Sequence, residues 1–242
     1  MELNMVHLYP DVMNLYGEYA NVAVLSRHLE ALDVTVTVRP VTCEDTPDFT
    51  AADFLYMGAG TERGQKYVLE KLLPHAEGLK SAVAAGAVVL FTGNAMETLG
   101  ATVTDAAGRA WPGLGLAEFA TVETDRRDPG DVIAHSALLD RPAVGFMNKC
   151  SVTSGVETPL FDRLELGFGN REEKGAEGYV SGNVLATHLT GPALVKNPHL
   201  TGLLIRRIFE AKGWALRSAL PALPHEWEAY AITLRELSAR VK

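Results

Sequence analysis

Cysteine is scarce in this sequence: of 242 residues, only Cys43 and Cys150 are cysteines. Two thiols are too few for a disulfide framework, and neither has the paired Cys and His spacing typical of zinc sites. We therefore expect two reduced thiols in a reducing compartment, and we assign the chain no metal and no cofactor.

Long apolar runs and an excess of basic residues are also missing. The most apolar uninterrupted run, residues 82–91, is far shorter than the roughly 20 residues that span a bilayer, so no membrane span is expected. The N-terminus has no basic leader followed by an apolar stretch, which predicts a cytoplasmic protein. Lys and Arg number 22 against 30 Asp and Glu, a formal charge of −8, so we expect no nucleic-acid partner.

Apolar patterning alternates between strands and helices in the first hundred residues. Strands are predicted at 2–8, 34–38, 54–57 and 87–91, and helices at 19–32, 63–73, from Pro74 to 85, and from 95. This pattern predicts an α/β fold with a mostly parallel sheet and helices on both faces. Short β-like stretches follow from 102 to 189, then helices at 198–212 and 226–241. Without a repeat or a convincing linker, residues 1–242 are predicted to form a single domain.

Three segments follow predicted strands, where open parallel sheets bind ligands. Residues 9–17 are typical of a turn that leads into a helix. Such a segment can be purely structural or can contribute to a ligand site. Residues 58–65 combine small residues whose backbone amides can stabilise an anion, although such a loop can also be an ordinary turn. Residues 88–100 form a strand, a sharp turn and a helix, the geometry that carries the nucleophile in hydrolases and amidotransferases. No Cys or Ser occupies that turn, and no loop ends in Gly-Lys-Ser or Gly-Lys-Thr, so nucleotide hydrolysis is not expected.

Four further motifs follow these three segments along the chain, at residues 145–148, 167–170, 177–178 and 189–198. Their order and spacing resemble class I glutamine amidotransferase domains of the cobyric-acid-synthase (CobB/CobQ-like) type over nearly the whole chain. Within that family, the likeness is to the glutaminase subunits of lipid II isoglutaminyl synthase, which work in peptidoglycan synthesis. The resemblance implies a flavodoxin-like fold and a Mur-ligase-like (MurT-type) partner subunit that supplies the ATP chemistry.

Family members hydrolyse glutamine with a Cys at the sharp turn and a His in a Tyr-Leu-His-Gly-Pro-like segment. Counting back from Gly100 places the nucleophile at Gly93. Counting back from 191–192 places the partner His at Thr190. Glycine has no nucleophile, and threonine is a poor general base. The resemblance therefore implies a degenerate glutaminase site that is non-hydrolysing or divergent.

The rest of the predicted site is less altered. The oxyanion or ligand-binding loop implied by the resemblance comprises Gly58, Ala59, Gly60, Arg63, Gln65 and Asn94. Candidate substitutes for the lost groups are Thr92, beside the turn, and His188, which shares a strand face with Thr190. Packing roles are open for both. Relatives tend to have Gln at the position of Glu97, which is either a charged residue of the pocket or a residue of a surface helix. Both cysteines are interpreted as structural.

Four functions remain open at this stage. The leading prediction is a non-hydrolysing or divergent subunit of a cell-wall amidation complex. The others are an amidase with a rearranged site, a regulatory module that binds glutamine or a related small molecule, and a cobyric-acid-synthase-type amidotransferase. The stand-alone length and the segment 9–11 favour the peptidoglycan branch, because cobalamin-type domains are usually fused to another domain.

Overall fold

A sheet of six strands forms the centre of the computed structural model, which describes residues 1–216, 220 and 223–241. In spatial order the strands are β10 (Tyr179–Ser181), β11 (Val184–Thr187), β4 (Val88–Thr92), β3 (Phe54–Met57), β1 (Glu2–Leu8) and β2 (Thr35–Val41). Neighbouring strands are parallel, except that β10 and β11 are antiparallel. Every residue of β3 and β4 is buried, as central strands covered on both faces must be.

Helices cover both faces of this sheet. They are α1 (Tyr19–Glu30), α2 (Glu62–Leu72), α3 (Ala76–Ala84), α4 (Ala193–Lys196) and α5 (Pro198–Ala211). A further helix, α6 (Pro224–Ser238), packs against the second sheet described below. Helices α1 and α5 share one hydrophobic core with Val88 and Leu90 of β4. Helices α2 and α3 share the other core with Val89 and Phe91. Alternating side chains of one strand thus enter opposite cores, which confirms the predicted architecture.

A second sheet is built from the region between the central strands β4 and β10. Its strands are β5 (Thr102–Thr104), β6 (Ala110–Pro112), β7 (Ala120–His135), β8 (Ala143–Ser154) and β9 (Arg163–Leu166). The prediction of short stretches is wrong for β7 and β8, which are 16 and 12 residues long and pair as an antiparallel hairpin. Charged and polar residues in the middle of β7 hide its length, because that part is largely exposed and its register shifts between Glu123 and Asp128.

Most predicted boundaries lie within three residues of the observed ones. The proline at 74 separates α2 from α3 through a short 3₁₀ turn, since proline lacks the amide that a continuous helix needs. The sharp turn after β4 continues as a 3₁₀ helix, Gly93–Leu99. Among the residues described above, no helix is long and apolar enough to cross a membrane.

Candidate functional site

The carboxyl ends of β1, β3, β4 and β11 meet at one edge of the central sheet because these strands are parallel. The loops after these strands and the β7–β8 hairpin enclose a cavity of about 260 Å³. Its lining residues are Leu15, Tyr16, Ala59, Gly60, Thr61, Glu62, Gly93, Asn94, Glu97, Glu123, Arg127, Asn148, Lys149, Cys150, Ser151, His188 and Thr190. The position beyond the strand ends and the polar lining make this cavity the candidate site.

Gly93 lies at the turn after β4 with φ +61, a backbone conformation that favours glycine. A Cβ at this position would overlap the methyl group of Ala59 and would lie 3.1 Å from Cγ2 of Thr190. The hydroxyl of Thr190 is buried and has no hydrogen-bond partner among the described residues. The structure thus brings together Gly93, Ala59 and Thr190, and the methyl group of Ala59 leaves no space for a side chain at the turn.

Asn94 holds the loop after β3 by a reciprocal pair of hydrogen bonds. The amide of Gly60 donates to Asn94 Oδ1 at 2.9 Å, and Asn94 Nδ2 donates to the Gly60 carbonyl at 3.0 Å. Gln65 Nε2 donates to the Asn94 carbonyl at 2.6 Å. A Cβ on Gly58 would lie 2.7 Å from Cβ of Glu18, so the loop packs closely enough to require glycine there. These predicted loop residues therefore form one connected unit.

Arg63 is the predicted loop residue that the structure sets apart. Its side chain is exposed and does not line the cavity. It contributes instead to a separate surface depression that includes Tyr67 and Trp111. A role for Arg63 in holding a ligand of the central cavity is not supported by this placement.

His188 lies between two buried carboxylates. Its Nδ1 is 3.0 Å from Glu177 Oε1, and its Nε2 is 3.5 Å from Glu97 Oε1, an ion-pair distance without a hydrogen bond. Glu97 also accepts hydrogen bonds from Ser151 Oγ at 2.5 Å and from Gln65 Nε2 at 2.6 Å. Glu97 is therefore a buried pocket residue and does not lie on a surface helix.

The charges in this cluster stabilise each other. Burial alone would raise the pKa of Glu97, but His188 and the two hydrogen-bond donors hold that pKa below its usual 4.5. Burial and Lys149 would lower the pKa of His188, but Glu177 and Glu97 raise it above its usual 6.5. The geometry thus favours an imidazolium between two carboxylates. Such a group has no free lone pair, so His188 is a poor general base.

Replacing His188 by glutamine is expected to reduce stability most in mildly acidic solution. A raised pKa in the folded state stabilises fully below the unfolded pKa of 6.5, and this contribution is lost as the pH rises through the folded value. The lowered pKa of Glu97 stabilises above 4.5 and is lost as the pH falls. Urea unfolding should therefore show a larger difference from the wild type at about pH 5.5 than at about pH 9.

The control for this experiment is the same substitution at the exposed His225. Its difference from the wild type should stay within about 0.5 kcal/mol at both pH values. A difference for His188→Gln that is constant or that grows with pH would contradict the ion-pair assignment.

Thr92 faces away from the cavity into a second buried cluster. Its hydroxyl donates to Glu18 Oε2 and lies 2.9 Å from the hydroxyl of Tyr56. Glu18, fully buried, also accepts hydrogen bonds from Tyr56 at 2.8 Å and from the amide of Gly191 at 2.9 Å. Burial raises the pKa of Glu18, and this effect outweighs the hydrogen-bond donors, which act to lower it. Thr92 is thus part of the support beneath the turn, and this cluster was not predicted from the sequence.

Cys150 lines the cavity beside Glu62 and Arg127. Its thiol donates to Glu62 Oε1 at 3.2 Å, and an Arg127 amino group lies 3.4 Å from the sulfur. Burial and Glu62 raise the pKa of the Cys150 thiol to about 12. Because the thiolate is the nucleophilic form, this thiol is poorly suited to attack a substrate.

This chain shares its fold with solved structures that include a glutamine amidotransferase. A glutamine amidotransferase of Thermotoga maritima superposes with a TM-score of 0.53 at 10% identity, covering 99% of this chain and 97% of that one. The structure described as PurLQS from Thermotoga maritima gives a TM-score of 0.53 at 12% identity, over 87% of this chain and 97% of that one. At these identities the similarity establishes the fold alone.

Sequence comparison identifies the family. The model for CobB/CobQ-like glutamine amidotransferase domains matches residues 4–198, and the chain belongs to that family. It is 31% identical over 214 residues to the lipid II isoglutaminyl synthase (glutamine-hydrolyzing) subunit GatD of Streptococcus pneumoniae, covering 87% of this chain and 82% of the relative. It is 28% identical to the Staphylococcus aureus subunit of the same name, over 88% and 86% of the two chains. The family resemblance inferred from the motifs is confirmed.

Proposed function

We propose that this chain is the amidotransferase-fold subunit of a lipid II amidation complex and that it does not hydrolyse glutamine. The relatives at 31% and 28% identity are both named as a subunit of lipid II isoglutaminyl synthase, which supports the peptidoglycan branch over the cobalamin branch. Its partner is a Mur-ligase-like subunit of the MurT type, and the complex works in the cytoplasm. The two cysteines are free thiols, in keeping with a reducing compartment.

The main support for the proposal that the chain does not hydrolyse glutamine is the structure of the turn at Gly93. Glycine offers no nucleophile there, and the methyl group of Ala59 fills the space that a side chain would need. Thr190 beside it offers a hydroxyl in place of an imidazole. Loss of cooperating catalytic residues typically lowers the rate by a factor of about 10⁴ or more.

Neither the two substitutes predicted from the sequence nor Cys150 of the cavity lining supplies the missing chemistry. Thr92 donates its hydroxyl to a buried carboxylate, and burial keeps the Cys150 thiol protonated. His188 is held as a cation by two carboxylates. The cavity nevertheless keeps buried polar atoms without hydrogen-bond partners among the described residues, at His188 and Thr190. These features support a role in binding a small molecule. In this proposal the ligase uses free ammonia.

Nitrogen isotope labelling tests the proposal directly. The chain is co-purified with its Mur-ligase-like partner and given lipid II and ATP, with either ¹⁵N-ammonium or glutamine labelled at the side-chain amide. We expect amidated lipid II from ammonium. From glutamine we expect incorporation lower by a factor of about 10⁴ than that of a complex containing the Streptococcus pneumoniae GatD subunit. Glutamine-dependent amidation comparable to that control, or release of ammonia from glutamine by the chain alone, would overturn the non-hydrolysing assignment.

A further inference from the structure

A chain of hydrogen bonds crosses the outer end of the central cavity. The side-chain amide of Asn148 donates to the hydroxyl of Tyr16 at 2.8 Å, and its Oδ1 accepts from Arg127 at 3.3 Å. Arg127 in turn donates to Glu62 at 2.5 Å. Four side chains thus join three separate parts of the fold: the loop after β1, the β7–β8 hairpin and the first turn of α2.

These four residues are the outer part of the cavity lining. Tyr16 is 45% exposed, and the side chains of Arg127 and Glu62 are 44% and 35% exposed. The inner lining is almost completely buried, with His188 at 1% and Thr190 at 3%. A ligand that enters from the solvent side therefore meets the hydrogen-bonded chain before it reaches the unpartnered polar atoms.

The backbone at Tyr16 is strained in this arrangement. Its φ of +63° and ψ of +19° lie in the left-handed region, which is unfavourable for an aromatic residue. Its side chain is held by the Asn148 hydrogen bond and by an edge-to-face contact with Phe146 of β8, at a centroid distance of 6.3 Å. These two contacts therefore help to hold the segment in a strained conformation, and their loss would favour a different one.

We infer that Tyr16, Asn148, Arg127 and Glu62 form a latch that closes the mouth of the cavity and must open for a small molecule to enter. Opening separates the loop after β1 from the β7–β8 hairpin at the Tyr16–Asn148 bond. The inference concerns access to the cavity and holds whether or not the chain hydrolyses glutamine, so it stands or fails separately from the proposed function.

The two native cysteines report on this movement. Cys150 lies inside the latch, bonded to Glu62 and near Arg127, whereas Cys43 lies outside the cavity, near Asp11. The probe is methyl methanethiosulfonate, and the rate at each cysteine is measured by mass spectrometry of the intact chain and its peptides. In Tyr16→Phe, the rate at Cys150 should rise about fivefold, the effect of losing one hydrogen bond. In Asn148→Ala, which loses two, it should rise further.

Tyr16→Phe is the decisive variant, because it removes one oxygen that does not touch Cys150. The matched control is Tyr19→Phe, the same change at a neighbouring tyrosine that is 59% exposed and lies outside the cavity lining. An unchanged rate at Cys43 shows in each variant that the fold is intact. Equal rates at Cys150 in the wild type, Tyr16→Phe and Tyr19→Phe would overturn the latch, as would an increase of the same size in both tyrosine variants.

Discussion

Replacing Gly93 by alanine is expected to lower the free energy of unfolding by about 2–4 kcal/mol, and replacing Ala59 by glycine in the same molecule should recover much of that loss. The added Cβ would overlap the methyl group of Ala59, and the interior around the turn is buried and cannot give way easily. The φ of +61° adds backbone strain that the second substitution does not remove. Urea unfolding of the two single variants and the double variant measures the coupling.

A coupling free energy of about 1 kcal/mol or more is the expected sign of a steric pair. Additive effects of the two substitutions would show that the turn accommodates a side chain without help from Ala59. In that case the space at Gly93 would not support the non-hydrolysing assignment, although the absence of a nucleophile would still do so.

The contact between positions 93 and 59 also determines whether a working glutaminase site can be introduced at this turn. A chain with Gly93→Cys, Ala59→Gly and Thr190→His should react with an electrophilic glutamine analogue at residue 93 at least about tenfold faster than the chain with Gly93→Cys and Thr190→His alone. The measurement is the labelled mass of the peptide containing residue 93. Equal reaction of the two chains would contradict the role assigned to the Ala59 methyl group.

Replacing Glu18 by glutamine should destabilise the protein by about 2–4 kcal/mol, although the two side chains have nearly the same shape. The carboxyl oxygens of Glu18 accept hydrogen bonds from Tyr56, Thr92, Asn21 and the amide of Gly191. A glutamine would turn one acceptor into an NH₂ group facing these donors, and a buried donor without an acceptor is costly. Chemical denaturation near neutral pH measures the loss.

Glu30→Gln at the exposed end of α1 is the matched control and should change stability by less than about 0.5 kcal/mol. Glu18 joins α1 to the end of β4 and to the turn after Thr190, so its loss should loosen the cavity walls as well. A variant at position 18 that is as stable as the Glu30 variant would show that the cluster does not depend on the carboxylate.

Much of the central sheet was predictable because each of its strands and helices carries its own local pattern. Residues 54–57 form β3 as predicted, and α1 begins at Tyr19 as predicted. The β7–β8 hairpin was predicted poorly, because the exposed polar middle of β7 resembles a loop when it is considered without its partner strand. Its pairing with β8 extends from Ala134 and Ala143, beside the connection, to Ala120 and Ser154 at the far end, and no local pattern records how far such a pairing extends.

The candidate site, like the fold, was predictable only in part. Gly93, Thr190 and the loop at 58–65 were found because they are short motifs of family-like spacing, whereas Glu18 and Ser151 carry no such signal. Asn148 ends one of the motifs, but its sequence gave no role. The place of Glu177 and Gly178 among the resembling segments marked a residue of interest but gave no role. Its role as a partner of His188 depends on a contact between side chains from different segments.

The order of residues alone determined the family, and it predicts that the family's thiol and imidazole positions are occupied by Gly93 and Thr190. Both depend only on residue identity at fixed spacing. Only tertiary contacts decided that Ala59 fills the space beside Gly93, that His188 lies between two carboxylates, and that four side chains form a hydrogen-bonded chain at the outer end of the cavity. These contacts join loops that follow different strands of a parallel sheet. Their ends meet in space because the strands run in the same direction, whatever their separation along the chain.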